Sequence, residues 1–231
     1  MSGFEDTRWS VVVAARGSTT SARVALDHLC RAYRSPVFAY VRHGGRSRED
    51  AEDLTQAFFV HFLERGCHEH ADPARGRFRS LLLTSLRRFV IDQHDHDHAS
   101  KRYAHMVGGH AIENTADGGE SPEDVFTRRW LATVVGHAMG HLQEEWRAAG
   151  KEARFGQFAP FLLEPTSSSE LKDMAMAAGM RSNTLAVQIH RMRQRLRQLV
   201  RLELLQTVGS EEALDEELAE LRRHANADVL S

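Results

Sequence analysis

The chain has 231 residues, 42% of them hydrophobic, and a formal net charge of −2. That apolar share supports packed cores and excludes wholesale disorder, while the near-neutral charge argues against a protein that coats nucleic acid nonspecifically. Cys30 and Cys67 form no CxxC pair, no apolar run reaches membrane-spanning length, and residues 1–6 lack a signal-peptide pattern. These features predict a reduced cytoplasmic protein without a disulfide framework.

Alanine, leucine, arginine and glutamate favour helix, and no segment alternates usefully as a strand. Trp9, Val12 and Val13 predict a short N-terminal helix. The 22–38 stretch carries Leu26, Leu29, Cys30 and Tyr33 on one face. Ser47, with Asp50 three residues on, predicts a capped helix bearing Ala51, Leu54, Phe58 and Phe62 on one side. Asp72-Pro73 and Gly76 mark a turn, and a long helix is expected over about 78–93. Gly108-Gly109 and Gly118-Gly119 mark a linker. Ser121-Pro122-Glu123-Asp124 starts another helix, because proline suits the first helical position and acids suit the first turn. That helical pattern runs to about Gly150. Ser167 with Glu170 predicts a further cap. The order Leu171 to Ala178, Gly179, Thr184 to Leu204 then reads as helix, turn, helix. An acidic tail with a last helix ends the chain.

Three constellations bear on function. In the C-terminal part, Ala175 is small where a second helix would cross closely, and Gly179 permits a left-handed turn. Leu185, Ile189, Met192, Leu196 and Leu199 form one apolar stripe, with Arg191, Arg193, Arg195, Arg197 and Arg201 supplying charge around it. Arginine donates in pairs to phosphate or guanine, so this unit reads as a DNA-binding helix-turn-helix. A solvated basic helix packed on a core is the plainer alternative. Upstream, Glu52, Asp53 and Gln56 lie outside the apolar stripe and offer an acidic face to a basic partner. A merely soluble surface is the alternative there. The stretch 75–92 interleaves arginines with Phe78 and Phe89, a pattern that suits single-stranded DNA through stacking and phosphate contacts. Core burial of both phenylalanines competes with that reading.

Together these segments resemble the extracytoplasmic-function (ECF) sigma factors of bacterial RNA polymerase. Asp50-Ala-Glu-Asp-Leu-Thr-Gln56 resembles the family's clamp-binding region 2.2. The 77–92 segment resembles regions 2.3 and 2.4, which melt and read the −10 element. Leu171 to Leu199 resembles region 4.2, which reads the −35 element. Thr7-Arg-Trp-Ser10, Asp53-Leu-Thr-Gln-Ala-Phe-Phe59, Ala71 to Ser80 and the acidic tail resemble a subgroup encoded beside Ser/Thr protein kinases. The resemblance departs at Arg88, commonly asparagine, in the histidine–aspartate run after Asp92, and at Ala186 and Gln188, commonly basic.

The resemblance implies an all-α, non-catalytic protein without cofactors. Its expected parts are an N-terminal helix (1–21), a sigma-2-like domain (22–99), a flexible linker (100–120), a sigma-4-like helix-turn-helix domain (121–204) and an acidic tail (205–231). Core RNA polymerase would meet Asp50, Glu52, Asp53 and Gln56. The −10 element would meet Arg77, Arg79, Arg87, Arg88 and Phe89. The −35 element would meet Ser182, Asn183, Thr184, Val187, His190, Arg191 and Arg195. Thr55 matches a phosphorylated threonine of some relatives, which makes a Ser/Thr kinase, or else an anti-sigma factor, a candidate partner. A stand-alone helix-turn-helix regulator is the leading alternative function. A metal sensor or hydrolase is a second, prompted by 14 histidines. It is disfavoured: His94, His96 and His98 alternate on a helix and point apart, and His137-Ala-Met-Gly-His141 lacks the metalloprotease glutamate.

Overall fold

The computed structural model describes residues 9, 19–66, 77–105, 120–164, 167–208 and 210–223, with side chains omitted for 97–105. Among the described residues all regular structure is helical. The helices are α1 (Thr20–His43), α2 (Arg48–Glu64), α3 (Phe78–His105), α4 (Pro122–Ala148), α5 (Glu152–Phe158) with a 3-10 turn at Ala159–Phe161, α6 (Ser168–Ala177), α7 (Ser182–Leu205) and α8 (Glu211–Arg222). Of the predicted linker, 100–105 belongs to α3, while 106–119 lies outside the described residues. Val12, Val13, Cys67 and the Asp72–Gly76 turn lie outside them as well.

Local chemistry sets the helix starts. Thr19 and Ser47 accept the backbone N–H groups of Ala22 and Asp50 and so open α1 and α2. Ser121 accepts the N–H of Asp124 to open α4. At α6, Ser167 and Glu170 form a reciprocal capping box.

The chain divides into two compact units, residues 1–130 with 205–217, and 131–204 with 218–231. The first takes in the start of α4 and the start of α8, segments that the sequence reading assigns to the helix-turn-helix domain and the tail. Aromatic packing gives the physical reason. Tyr33 of α1 stacks on Trp130 of α4 with ring centroids 3.9 Å apart, and Phe126 lies 6.1 Å from the same ring. Trp9 and Phe62 meet Phe78 edge-on. Two strand-free backbone links tie in the 206–207 turn: Trp9 N–H donates to Gln206 O, and Phe78 N–H donates to Thr207 O.

In the second unit, Leu142, Phe155, Phe158 and Leu162 are buried with Ala175 and the α7 residues Leu185, Ile189, Met192, Leu196 and Leu199. Every member of the predicted α7 stripe is therefore in the core. Ala175 is 1% exposed, as a close helix crossing requires. Gly179 adopts φ +63°, and the Met180 N–H closes the end of α6 by donating to Ala175 O. A side chain at that φ would press Cβ on the carbonyl oxygen, so glycine suits the turn.

Candidate functional site

Helix α2 is built as an acid-bearing face over an apolar one. Ala51, Phe58 and Phe62 are buried as expected, whereas Leu54 is half-buried and Thr55 takes its inward place. Asp53 and Gln56 are exposed. Asp50 is exposed too, but its Oδ2 accepts the Ser47 hydroxyl at 2.6 Å as part of the helix cap. Glu52 holds Arg48 one turn away at 3.0 Å. Asp53, Gln56, Val60 and Glu64 line a shallow groove of about 560 Å³, closed on its α3 side by Phe89 and Gln93. Val60 lies in this groove at 48% exposure, an apolar contact that the charge pattern had not drawn out. Thr55 is 1% exposed and its hydroxyl donates to Ala51 O at 2.6 Å. In this conformation a kinase has no access to that oxygen.

Helix α3 and Arg77 just before it divide the five candidate −10 residues between core and surface. Phe89 is 4% exposed and packs on Phe58 at 5.6 Å and on His61 at 5.1 Å. It is a core residue, its ring engaged by α2. Arg79 is also buried, at 2% exposure. Its Nε and Nη2 donate to the two oxygens of Glu217 at 2.6 and 3.1 Å, and Nη1 reaches Thr127 Oγ1 at 3.3 Å. Arg77 Nη1 donates to the same carboxylate at 2.9 Å. Arg87 is exposed and paired with Glu123 of α4 at 2.6 Å. Arg88 is exposed and makes no ion pair among the described residues. Beside it, Ile91 stands out at 53% exposure. Thr84, Arg88, Ile91 and Asp95 form the outward stripe of α3 at helical spacing.

In the second unit, Ser182, Asn183, Thr184, Val187, His190 and Arg191 are all exposed along the first turns of α7. Asn183, Thr184, Val187, Arg191 and Arg195 border a depression of about 480 Å³ that is walled by Trp146 of α4. Trp146 escaped the sequence reading, because nothing local links it to α7. Arg195 is held by Glu145, its Nε 3.0 Å from Oε2. That pair raises the guanidinium pKa and lowers the Glu145 carboxyl below the ordinary carboxylate value. Arg193 is turned away from the depression and donates to the backbone carbonyls of Phe161 and Glu164. His137 and His141 both approach Glu203, at 3.6 and 3.1 Å. Even so, no group of three His, Cys, Asp or Glu side chains among the described residues is arranged to hold a metal ion.

The α2–α3 module can be compared with known families. Residues 29–98 match the family model of sigma-70 region 2. This segment is similar to sigma-70 region 2. It spans α1 from Leu29 onward, all of α2 and the first three quarters of α3, so the acidic α2 face and the outward stripe of α3 both belong to it. No curated protein and no solved structure matches the chain. No helix among the described residues is long and apolar enough to cross a membrane.

Proposed function

We propose that this chain is an ECF-type sigma factor that binds core RNA polymerase and directs initiation from promoters with −35 and −10 elements. The observation that carries the reading is the outward carboxylate face of α2 within a segment that matches sigma-70 region 2. Asp53 and Gln56 have uncommitted faces, and with Asp50 and Glu52 they offer a basic polymerase surface charge complementarity around an apolar contact at Val60. In the second unit the exposed side chains Ser182 to Arg191 face outward over a fully apolar α7 stripe, the arrangement a major-groove reader needs.

The −10 contact falls to the outward stripe of α3, with Arg87 and Arg88 as cations and Ile91 as the exposed apolar side chain. Phe89 supports this surface from beneath. The protein has no chemistry of its own, needs no cofactor, and acts in the cytoplasm. Kinase control belongs to this reading too: phosphorylation of Thr55 requires α2 to open at Ala51, so a kinase would act on a partly unfolded helix.

Reconstituted run-off transcription with core polymerase tests the assignment. Wild-type chain is expected to give promoter-dependent transcript, and Asp53→Lys to lose polymerase binding while keeping its helix content. Arg191→Ala is expected to weaken promoter binding by about 1–3 kcal/mol if the side chain reads a base. Tight operator binding without polymerase, and no transcript with it, would establish the stand-alone regulator instead. For Thr55, pull-downs of Thr55→Asp and Thr55→Ala with core polymerase decide; equal capture removes the kinase switch.

A further inference from the structure

The sigma reading assigns Arg77 and Arg79 to the DNA strand, yet in the free chain both hold a carboxylate from the last helix. Glu217 is fully buried, and three guanidinium N–H groups converge on its two oxygens at 2.6 to 3.1 Å. The guanidinium fork fits carboxylate and phosphate alike, because both present paired anionic oxygens at similar spacing. Glu217 thus fills the place a backbone phosphate would need. Its segment is seated by more than this pair. Thr207 O accepts the N–H of Phe78, at the very start of α3, and Gln206 O accepts the N–H of Trp9. Leu214, one turn before Glu217, is buried at 1% exposure.

We infer that the 206–217 segment is a built-in competitor of nucleic acid: it closes the Arg77–Arg79 cleft of region 2 with Glu217, and promoter phosphate enters only when that segment withdraws. The inference rests on the sigma reading and adds a regulatory state to it. It also gives the acidic tail a target, the start of α3.

The test uses full-length protein and a fluorescein-labelled single-stranded DNA of −10-like sequence. Glu217→Gln removes the competing charge and keeps the side-chain volume. It is expected to bind the probe at least tenfold more tightly than wild type. Two newly available arginines should also steepen the dependence of log affinity on log salt by about 1.4 on a single strand. A folded Glu217→Gln chain with unchanged affinity and slope overturns the inference. Hydrogen exchange on the wild type decides independently of any variant. Amides of 211–217 should lose protection when core polymerase and a forked promoter are added, and full retention of protection overturns the inference. Run-off transcription separates the two levels. A transcribing wild type with no Glu217 effect strikes the competitor alone, whereas a silent wild type strikes the sigma reading.

Discussion

Replacing Glu217 by leucine should destabilise the first unit severely, and the reason can be worked from the site. Arg79 is 2% exposed and Glu217 0%, so neither charge has bulk water to fall back on. Removal of one partner from such a buried pair typically costs about 3–5 kcal/mol, because the other charge stays desolvated and uncompensated. For a chain of this size each kcal/mol lowers Tm by about 2–4 °C, so a fall of roughly 10 °C is expected. Glu217→Gln keeps one acceptor oxygen for the guanidinium and should lose less, about 2 kcal/mol. The double variant Arg79→Met/Glu217→Leu removes both charges and fills the space with apolar groups, so it should return close to wild-type stability. Thermal and urea unfolding followed by circular dichroism would give the cycle. A single Glu217→Leu variant within about 0.5 kcal/mol of wild type would refute the burial argument, since that is the cost of an ordinary surface change.

Three further outcomes follow from other sites. Phe89→Ala should cost about 3–5 kcal/mol of stability, as for other buried aromatics, whereas Arg88→Ala should leave unfolding unchanged and weaken a −10 probe; a stable Phe89→Ala chain with a selective DNA defect would return the ring to the DNA surface. Gly179→Ala should lose about 1–2 kcal/mol through backbone strain alone, because an added Cβ meets nothing within 4 Å; urea titration checks it, and no loss would mean that the turn relaxes. The Glu170 carboxyl sits below the ordinary carboxylate value because the Ser167 hydroxyl and backbone N–H both donate to it. With its folded pKa depressed, its stabilisation is complete above the unfolded value and disappears as pH falls through the folded one. Carboxyl NMR titration should show Ser167→Ala moving Glu170 back up, and an unshifted wild-type Glu170 would discount the cap.

What was legible in the sequence is what depends on neighbours in the chain. Caps at Ser47 and Ser167, the α7 stripe and the Ala175–Gly179 turn all rest on spacings of a few residues, and all appear as expected. The short α5 was missed because seven residues give too little periodicity to register. Phe89 was readable in principle: Phe78, Leu82, Leu86 and Phe89 repeat at helical spacing, and all four are buried. The arginines around it drew the reading toward nucleic acid. Glu217 carried a subtler signal, since it shares the inward stripe of α8 with Leu214, Leu218 and Leu221. An acid at an apolar register position announces a buried cation, but its partner lies 138 residues away in sequence. No local pattern identifies that partner.

The near-neutral charge of the chain now has a structural counterpart. Four arginines that the sigma reading assigns to DNA hold carboxylates of their own chain in three pairings: Arg87 with Glu123, Arg195 with Glu145, and Arg79 together with Arg77 on Glu217. These pairs are not equivalent. The first two are substantially exposed, and exposed ion pairs contribute little, so phosphate can displace their carboxylates at little cost. The third is buried, and its carboxylate leaves only if its helix segment moves. Arg88 and Arg191, exposed and without an ion pair among the described residues, need no exchange at all. On the sigma reading, promoter binding would be ordered by solvent access. Arg88 and Arg191 would make the first contacts, Arg87 and Arg195 would exchange partners next, and the Arg77–Arg79 pair would be released last. Raising the salt concentration should weaken the early contacts first while leaving the buried Glu217 pair intact, because screening acts on exposed charges far more than on desolvated ones.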